Sequence, residues 1–134
     1  MITTSVLYEI LYVSTIAADA PIRVVADIAV KARAVNQERG ITGLLIFDGM
    51  HFCQQLEGSE EDISMLMGKI AGDPRHTQMH VLHQGQLDKR RFRRFSLGFT
   101  SVEDIELLER MQQMKGQVAV DALMDLLSSL DLDA

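Results

Sequence analysis

Several features that mark particular classes of protein are scarce in this sequence. Its single cysteine, Cys53, excludes a disulfide-stabilised scaffold of the kind found in small secreted proteins. No apolar run approaches the roughly 20 residues that are needed to cross a bilayer, and the N-terminus lacks the basic stretch and cleavage signature of an export signal. We therefore expect a cytoplasmic protein with no membrane partner.

Positive charge is also scarce, since 13 lysines and arginines stand against 19 aspartates and glutamates and give a formal net charge of −6. This balance disfavours a surface for nucleic-acid phosphates, which bind through lysine and arginine. The 134 residues are 47% hydrophobic, which is enough material for the core of one domain. We expect residues 1–101 to form that core domain and residues 102–134 to be a helical extension packed on it.

Apolar patterning predicts the order strand, helix, strand, strand, helix, strand, strand. The predicted strands cover residues 5–14, 41–49, 50–58, 79–87 and 95–100, and the predicted helices begin near Pro21 and Ser59. The first strand is apolar on both parities, so we expect it to be central and covered on both faces. Asp48 followed by Gly49 indicates a hairpin between strands two and three.

This order is typical of a ferredoxin-like βαββαββ mixed sheet with two helices on one face, which is an α/β fold of the α+β type. Two further amphipathic helices follow the sheet and are divided near Gly116. Their apolar stripes must pack against the same domain.

Polar side chains interrupt apolar faces at three positions. Asn36 falls almost in line with the buried stripe of the first helix, Gln54 shares the core-facing parity of its strand, and Tyr12 lies on the first strand. Buried polar groups must be hydrogen-bonded, so these side chains either satisfy one another or line a site for a polar, planar ligand. A glutamine amide suits such a ligand, because its rotation exchanges donor for acceptor at almost constant shape.

Other polar groups have simpler explanations. Residues 73–76, Asp-Pro-Arg-His, offer an acceptor, a guanidinium and an imidazole, but they are equally typical of a helix-terminating turn. The basic run 89–94 is expected to be a solvated strand edge. His80 and His83 are expected to point to opposite faces of a strand, so no metal site is predicted. Cys53 is expected to be a small core residue on the face opposite Gln54's amide.

The motifs LYEILYVS, NQERGITGLL, FCQQLEG, DPRH and RRF, in this order, resemble the BLUF family, the bacterial blue-light sensors that use FAD. The similarity runs from Tyr8 to about Phe99. It implies FAD as the cofactor, with FMN or riboflavin as alternatives. It also implies a photosensory signalling protein and not an enzyme.

The resemblance gives each matching residue a role. Tyr12 resembles the electron and proton donor to photoexcited flavin, and Gln54 the amide between that tyrosine and the flavin N5 and O4 edge. The exchange would leave Gln54 rotated or tautomerised and shift the flavin absorption to the red. The residues implied to hold the cofactor are Asn36 at the pyrimidine edge, Ile28 and Ile70 on either side of the ring, Asp73 and Arg75 near O2 and N3, and His76 and Lys69 near the ring or the phosphates.

The sequence departs from the family on the fifth strand, where Phe95 and Leu97 replace the usual tryptophan and methionine. These two positions are implied in signal relay, so the replacement bears on the route and lifetime of the signal. No effector domain is recognised, which resembles the short BLUF proteins that act by light-dependent association. We therefore expect a downstream protein effector and a homo-oligomer.

Two other classes of protein fit parts of the pattern. A flavin-free, ferredoxin-like regulatory or interaction module would explain Tyr12, Asn36 and Gln54 as residues that satisfy one another. A small hydrolase of the acylphosphatase type uses an arginine and an asparagine, but Arg75 and Asn36 lack the phosphate-cradling loop that such an enzyme needs.

Overall fold

The computed structural model describes residues 6–17, 23–73, 76–92, 98–101 and 105–128. Its elements follow the predicted order and are β1 Leu7–Ile16, α1 Arg23–Arg39, β2 Thr42–Phe47, β3 His51–Ser59, α2 Glu60–Ala71, β4 His76–Leu87, β5 Gly98–Ser101, α3 Ile105–Met111 and α4 Gln117–Ser128. None of the described helices is both long and apolar enough to span a membrane.

The five strands form one mixed sheet in the order β4-β1-β3-β2-β5. β1 runs antiparallel to β3 and β4, β2 runs antiparallel to β3, and β5 lies parallel to β2. The predicted ferredoxin-like α+β fold is therefore confirmed. β3 occupies the middle position, where we had expected β1. β1 is nevertheless an interior strand, and its residues 10–13 are buried.

The front face of the sheet, which we define as the face that bears Tyr12, is covered by the first two helices. Phe52 and Leu56 of β3 pack there with Ala29 of α1 and Ile63 of α2. These side chains form one of two separate hydrophobic cores. The front-face core is the one that surrounds the candidate site described below.

The opposite face, which we call the back face, is covered by the two C-terminal helices. Leu11, Val13 and Cys53 of the sheet pack there with Leu108 of α3 and Leu123 of α4. Successive residues of a strand point to opposite faces. Burial of both faces explains why the inner strands are apolar at both parities.

Short polar side chains fix where two elements begin. Asp48 Oδ1 accepts a hydrogen bond from the His51 N–H at 2.6 Å, and Gly49 has a φ of +100°. This turn confirms the predicted hairpin. Ser59 caps α2, since its hydroxyl oxygen accepts a hydrogen bond from the Asp62 N–H at 3.1 Å. The acidic first turn of α2 also interacts favourably with the helix dipole.

Strand β4 differs from its prediction in length and register. It begins three residues earlier than predicted, at His76. Register shifts in its pairing with β1 place His83 opposite Leu11 and His80 opposite Val13. Both histidines therefore belong to the same face of the sheet, and the expectation that they point to opposite faces is wrong. A bulge changes the parity of a strand, and the sequence pattern does not reveal it.

Gly43 of β2 allows a close approach to the backbone of β3. A Cβ atom at this position would overlap the backbone carbonyl oxygen of Gln55. We expect Gly43→Ala to lower the free energy of unfolding, measured by urea denaturation, by about 1–3 kcal/mol, because the strands must separate to accept the methyl group.

Gly68→Ala in α2 is the matched control for this prediction. Apart from its chain neighbours and the backbone of its own helix, no heavy atom of the described residues lies within 4 Å of its Cβ position. The control should leave stability unchanged or raise it by up to about 1 kcal/mol, since alanine favours a helix more than glycine does. A Gly43→Ala protein as stable as the parent would show that the two strands are not held this closely.

Candidate functional site

A cleft opens between α1 and α2 above the front face of the sheet. It has a volume of about 180 Å³ and opens to solvent at its mouth. Its apolar walls are Ile28, Ala32 and Val35 on α1 and Leu66 and Ile70 on α2. Two facing apolar walls suit a flat ring system.

Polar residues predicted from the sequence line the same cleft. Ile28 and Ile70 are joined there by Asn36, Gln54, Lys69, Asp73 and His76. Tyr12 lies beneath them on β1, opposite Gln54. Arg75, Phe95 and Leu97 lie outside the described residues, so their predicted roles stay predictions.

Tyr12 and Gln54 form the buried polar contact beneath the cleft. The Tyr12 Oη atom donates a hydrogen bond to Gln54 Oε1, and the two side chains are 0% and 5% exposed. Burial, reinforced by the acidic groups of Cys53 and Asp73, raises the pKa of the Tyr12 phenol far above its ordinary value. The phenol therefore holds its proton at neutral pH. Because Tyr12 occupies the amide oxygen, the Nε2 group of Gln54 is the donor left for a ligand.

Asn36 is fully buried near the end of α1. Its backbone carbonyl oxygen accepts a hydrogen bond from the Ile41 N–H at 2.8 Å, across the turn at Gly40. Gly40 has a φ of +69°, the left-handed conformation with which glycine ends many helices. This turn into β2 fixes the position of Asn36, and the burial of Asn36 agrees with the expectation that its amide faces inward.

His76 is held against β1 and the aromatic residues of the front face. Its Nδ1 atom lies 2.9 Å from Ser14 Oγ. Its ring centroid lies 4.8 Å from that of Phe52 and 6.4 Å from that of Tyr12. His76 is therefore not a solvated residue of a helix-terminating turn, which was the simpler explanation for residues 73–76. Ser14 is not among the residues predicted from the sequence, although its parity with Tyr12 places it on the front face.

The residues present fit a flavin. The apolar walls suit the isoalloxazine ring, and the amides of Asn36 and Gln54 offer both donors and acceptors to its polar edge. Lys31 and Lys69 are exposed side chains that line the cleft. Their ammonium groups suit the phosphates of a flavin nucleotide.

Cys53 neighbours Gln54 in sequence but belongs to the back-face core. Burial, together with the charge of Asp48, raises the pKa of its thiol to about 12. The thiol stays protonated at neutral pH and packs as a small hydrophobic group. The expectation that it lies on the face opposite the amide of Gln54 is confirmed.

Two arginines of the basic run 89–94 bond to residues of the sheet and do not form a solvated strand edge. Arg90 Nη1 donates a hydrogen bond to Thr42 Oγ1 at 2.8 Å. Arg91 Nε lies 2.9 Å from an oxygen of Glu9, a carboxylate that is 2% exposed. The expectation of a solvated edge is wrong for both residues. The sequence pattern gave no sign that Arg91 pairs with a buried carboxylate 82 positions earlier in the chain.

A ferredoxin-like sheet with a buried tyrosine and glutamine beneath a cleft that fits a flavin defines a light-sensing flavin domain. The family model described as "BLUF: Sensors of blue-light using FAD" matches residues 7–98. The chain belongs to the BLUF family, whose members sense blue light with FAD.

Curated relatives of the chain are larger proteins. The chain is 35% identical over 104 residues to the blue light- and temperature-regulated antirepressor BluF of Escherichia coli (strain K12), covering 78% of this chain and 25% of that protein. It is 31% identical over 94 residues to photoactivated adenylate cyclase subunit beta of Euglena longa, covering 70% of this chain and 11% of that protein. The chain thus spans a quarter or less of the length of these relatives.

Solved structures show the same architecture. BlrB, a BLUF protein in its dark state, matches with a TM-score of 0.78 at 28% identity, covering 94% of this chain and 98% of that one. BlrP1 of Klebsiella pneumoniae with FMN and cyclic diGMP matches with a TM-score of 0.72 at 31% identity, covering 92% of this chain and 34% of that one. These similarities agree with the fold and the family.

Proposed function

We propose that Tyr12 and Gln54 are the photochemical pair of this blue-light sensor and that the cleft between α1 and α2 holds its FAD. The observation that carries the proposal is the hydrogen bond from Tyr12 Oη to Gln54 Oε1, made by two buried side chains, one of which lines the cleft. Such a pair can pass a proton or reverse its hydrogen bonds without contact with solvent.

The predicted cofactor residues are proposed to hold the flavin by complementary chemistry. Ile28 and Ile70 would contact the two faces of the ring, and Asn36 would pair with its pyrimidine edge. Asp73, Arg75, His76 and Lys69 are the remaining polar residues of the proposed set. Bound FAD, or FMN or riboflavin with the same ring, supplies the absorption of blue light and an acceptor for one electron in its excited state.

Tyr12 and Gln54 have distinct parts in the proposed switch. The raised pKa of Tyr12 keeps the proton on Oη in the dark, so the residue gives up a proton only when it also loses an electron. The hydrogen bond offers that proton a short path from Oη to Gln54 Oε1. Rotation of the amide then exchanges its donor for its acceptor. Once the electron and the proton have returned to Tyr12, the changed orientation of the amide remains, so Gln54 is the group that stores the lit state.

The test of this assignment is Gln54→Leu in protein loaded with FAD. We expect the variant to keep its flavin absorption band and to lose the light-induced red shift, because leucine can neither accept from Tyr12 nor donate into the cleft. Gln84→Leu on β4 is the matched control, since this exposed glutamine is bonded to Tyr8 and does not line the cleft. A normal red shift in Gln54→Leu would remove Gln54 from the mechanism.

Asn36→Ala tests the proposed flavin contact at the other amide. We expect the variant to bind FAD about 5- to 150-fold more weakly, because the polar edge of the ring loses a buried hydrogen-bonding partner. The measurement is a titration followed by quenching of flavin fluorescence. Gln37→Ala, at the exposed neighbouring position, should bind FAD like the parent. Equal affinities in both variants would contradict the assignment of Asn36.

The output of the sensor is proposed to be a light-dependent protein–protein interaction and not a catalysed reaction. The names of two relatives, an antirepressor and a cyclase subunit, support an output through an effector protein. A homo-oligomer, a cytoplasmic location and relay through Phe95 and Leu97 belong to the same proposal. The division into a core domain of residues 1–101 and a helical extension of residues 102–134 is a further part of it.

A further inference from the structure

The back face of β3 carries a cluster of buried polar groups behind Gln54. This back-face cluster consists of Glu9, Gln55, Glu57 and Arg91. Its first three members are 2%, 1% and 0% exposed, respectively. Glu9 and Glu57 are directly opposite each other on β1 and β3, a pairing of like charges that requires compensation.

Arg91 supplies much of that compensation and ties the segment 88–92 to the sheet. Its Nε and Nη2 atoms donate to the two oxygens of Glu9 at 2.9 and 3.0 Å. Its backbone N–H and that of Phe92 donate to the two oxygens of Glu57 at 2.9 and 3.0 Å. The segment that follows β4 is therefore held by hydrogen bonds to two inner strands.

Gln55 joins the two carboxylates and has a fixed orientation. Its Nε2 atom donates to Glu9 Oε1 at 3.2 Å and to Glu57 Oε1 at 3.0 Å. Its own Oε1 atom is buried and accepts no hydrogen bond from the part of the chain that the structure describes. Rotation of this amide would turn its oxygen toward two carboxylates, which only accept hydrogen bonds. Gln55 therefore cannot reverse as its neighbour Gln54 can.

The charges of the cluster are also fixed. Burial works to raise the pKa of Glu9, but hydrogen bonds from Arg91 and Gln55 and the charges of Arg91 and His83 hold it below its ordinary value. The hydrogen bond to Glu9, with the charges of Glu57 and of Asp121 in α4, raises the pKa of Arg91. Glu9 and Arg91 therefore stay ionised at neutral pH. A displacement of β3 therefore changes the hydrogen bonds of the cluster and is not offset by a change in the protonation of Glu9 or Arg91.

We propose that Gln55 and Arg91 are positioning residues that couple the state of Gln54 to the segment 88–92, which leads toward β5. This coupling rests on the proposed function of Gln54. When the hydrogen bonds of Gln54 change on the front face, the adjoining peptide of Gln55 shifts. Because Gln55 cannot rotate, the shift passes through Glu9 and Glu57 to the Arg91 and Phe92 amides.

Amide hydrogen exchange tests this coupling, because the Arg91 and Phe92 N–H groups themselves donate to Glu57. Protein loaded with FAD is compared in darkness and under continuous blue light. We expect a light-dependent change of exchange in residues 88–92 of the parent. Gln55→Met should lose that change and keep the flavin red shift, since methionine fills the space but cannot bond to either carboxylate.

Two further variants make the comparison specific. Cys53→Ala, two residues away on the same face of β3, has no polar contact with residues 88–92 and should keep the light-dependent change. Glu9→Gln removes the charge that binds the Arg91 guanidinium and should also lose the light-dependent change of exchange. The test therefore does not depend on the folding of a single variant.

Three outcomes would overturn the coupling. A light-dependent change that persists in both Gln55→Met and Glu9→Gln would show that these contacts do not transmit it. A parent protein with a red shift but unchanged exchange at residues 88–92 would remove the coupling alone. A parent protein without a red shift would overturn the proposed function and the coupling together.

Discussion

Replacement of Arg91 by methionine is expected to lower the free energy of unfolding by about 3–5 kcal/mol at pH 7, the usual cost of leaving a buried charge without its partner. The Glu9 carboxylate is 2% exposed and receives both guanidinium hydrogen bonds of Arg91. Methionine preserves much of the packing of the arginine stem, so the loss of stability measures the contribution of the charge and hydrogen bonds of Arg91. The measurement is urea denaturation of the parent and the variant.

The pH dependence of this loss follows from the lowered pKa of Glu9. A carboxyl whose pKa is lower in the folded state contributes stability above its unfolded pKa and loses it as the pH falls through the folded pKa. In Arg91→Met the lowering of the Glu9 pKa by Arg91 is removed, while burial still raises this pKa and Gln55 and His83 still lower it. The difference in stability between parent and variant should therefore shrink as the pH falls through the folded pKa of Glu9 in the variant and then through its lower pKa in the parent.

Arg110→Met is the matched control for Arg91→Met. Arg110 lies 3.8 Å from Glu106 on the exposed surface of α3, and their side chains are 58% and 79% exposed. Such a pair contributes about 0–1 kcal/mol. A loss of stability in Arg91→Met no larger than in Arg110→Met would show that the cluster is not held together by this guanidinium.

Replacement of Tyr12 by phenylalanine is expected to leave the flavin bound and to abolish the light-induced red shift. The variant keeps the buried ring but removes the Oη atom, which is the proposed source of the proton and the hydrogen-bond donor to Gln54. Because Gln54 and the helix walls remain, binding of FAD should change little. The measurement is the light-minus-dark absorption spectrum of the loaded variant.

Tyr8→Phe is the matched control for Tyr12→Phe. Tyr8 lies on the same strand with the same parity, and its hydroxyl donates to Gln84 at 3.1 Å in an exposed position. This variant should retain the full red shift. An equal shift in both variants would exclude Tyr12 as the donor, and loss of the shift in both would show that the effect is not specific to the buried phenol.

The fold and the front-face site could largely be predicted from the sequence, because they depend on local periodicity. Strand parity placed Gln54 and Cys53 on opposite faces, and helical spacing placed Asn36 inward. The hairpin at Asp48 followed from the preferences of single residues for a turn. Each of these signals lies within a few residues of the position that it predicts.

The remaining features depend on contacts that no local pattern encodes. The pairing of Arg91 with Glu9 joins residues 82 positions apart, and the contact of His76 with Ser14 joins residues 62 positions apart. The bulge in β4 reversed the expected parity of His80. Strand parity also predicts that Gln55 points away from Gln54, but it does not predict that the two C-terminal helices bury the back face, on which Gln55 lies.

The most direct test of the account is the absorption spectrum of the purified chain, reconstituted with FAD, in darkness and again under blue light. The account predicts a structured flavin band that moves slightly to the red in the light and returns in the dark. A protein that binds no flavin after reconstitution would contradict it and favour the flavin-free interaction module. A flavin band that does not move in the light would contradict the roles proposed for Tyr12 and Gln54.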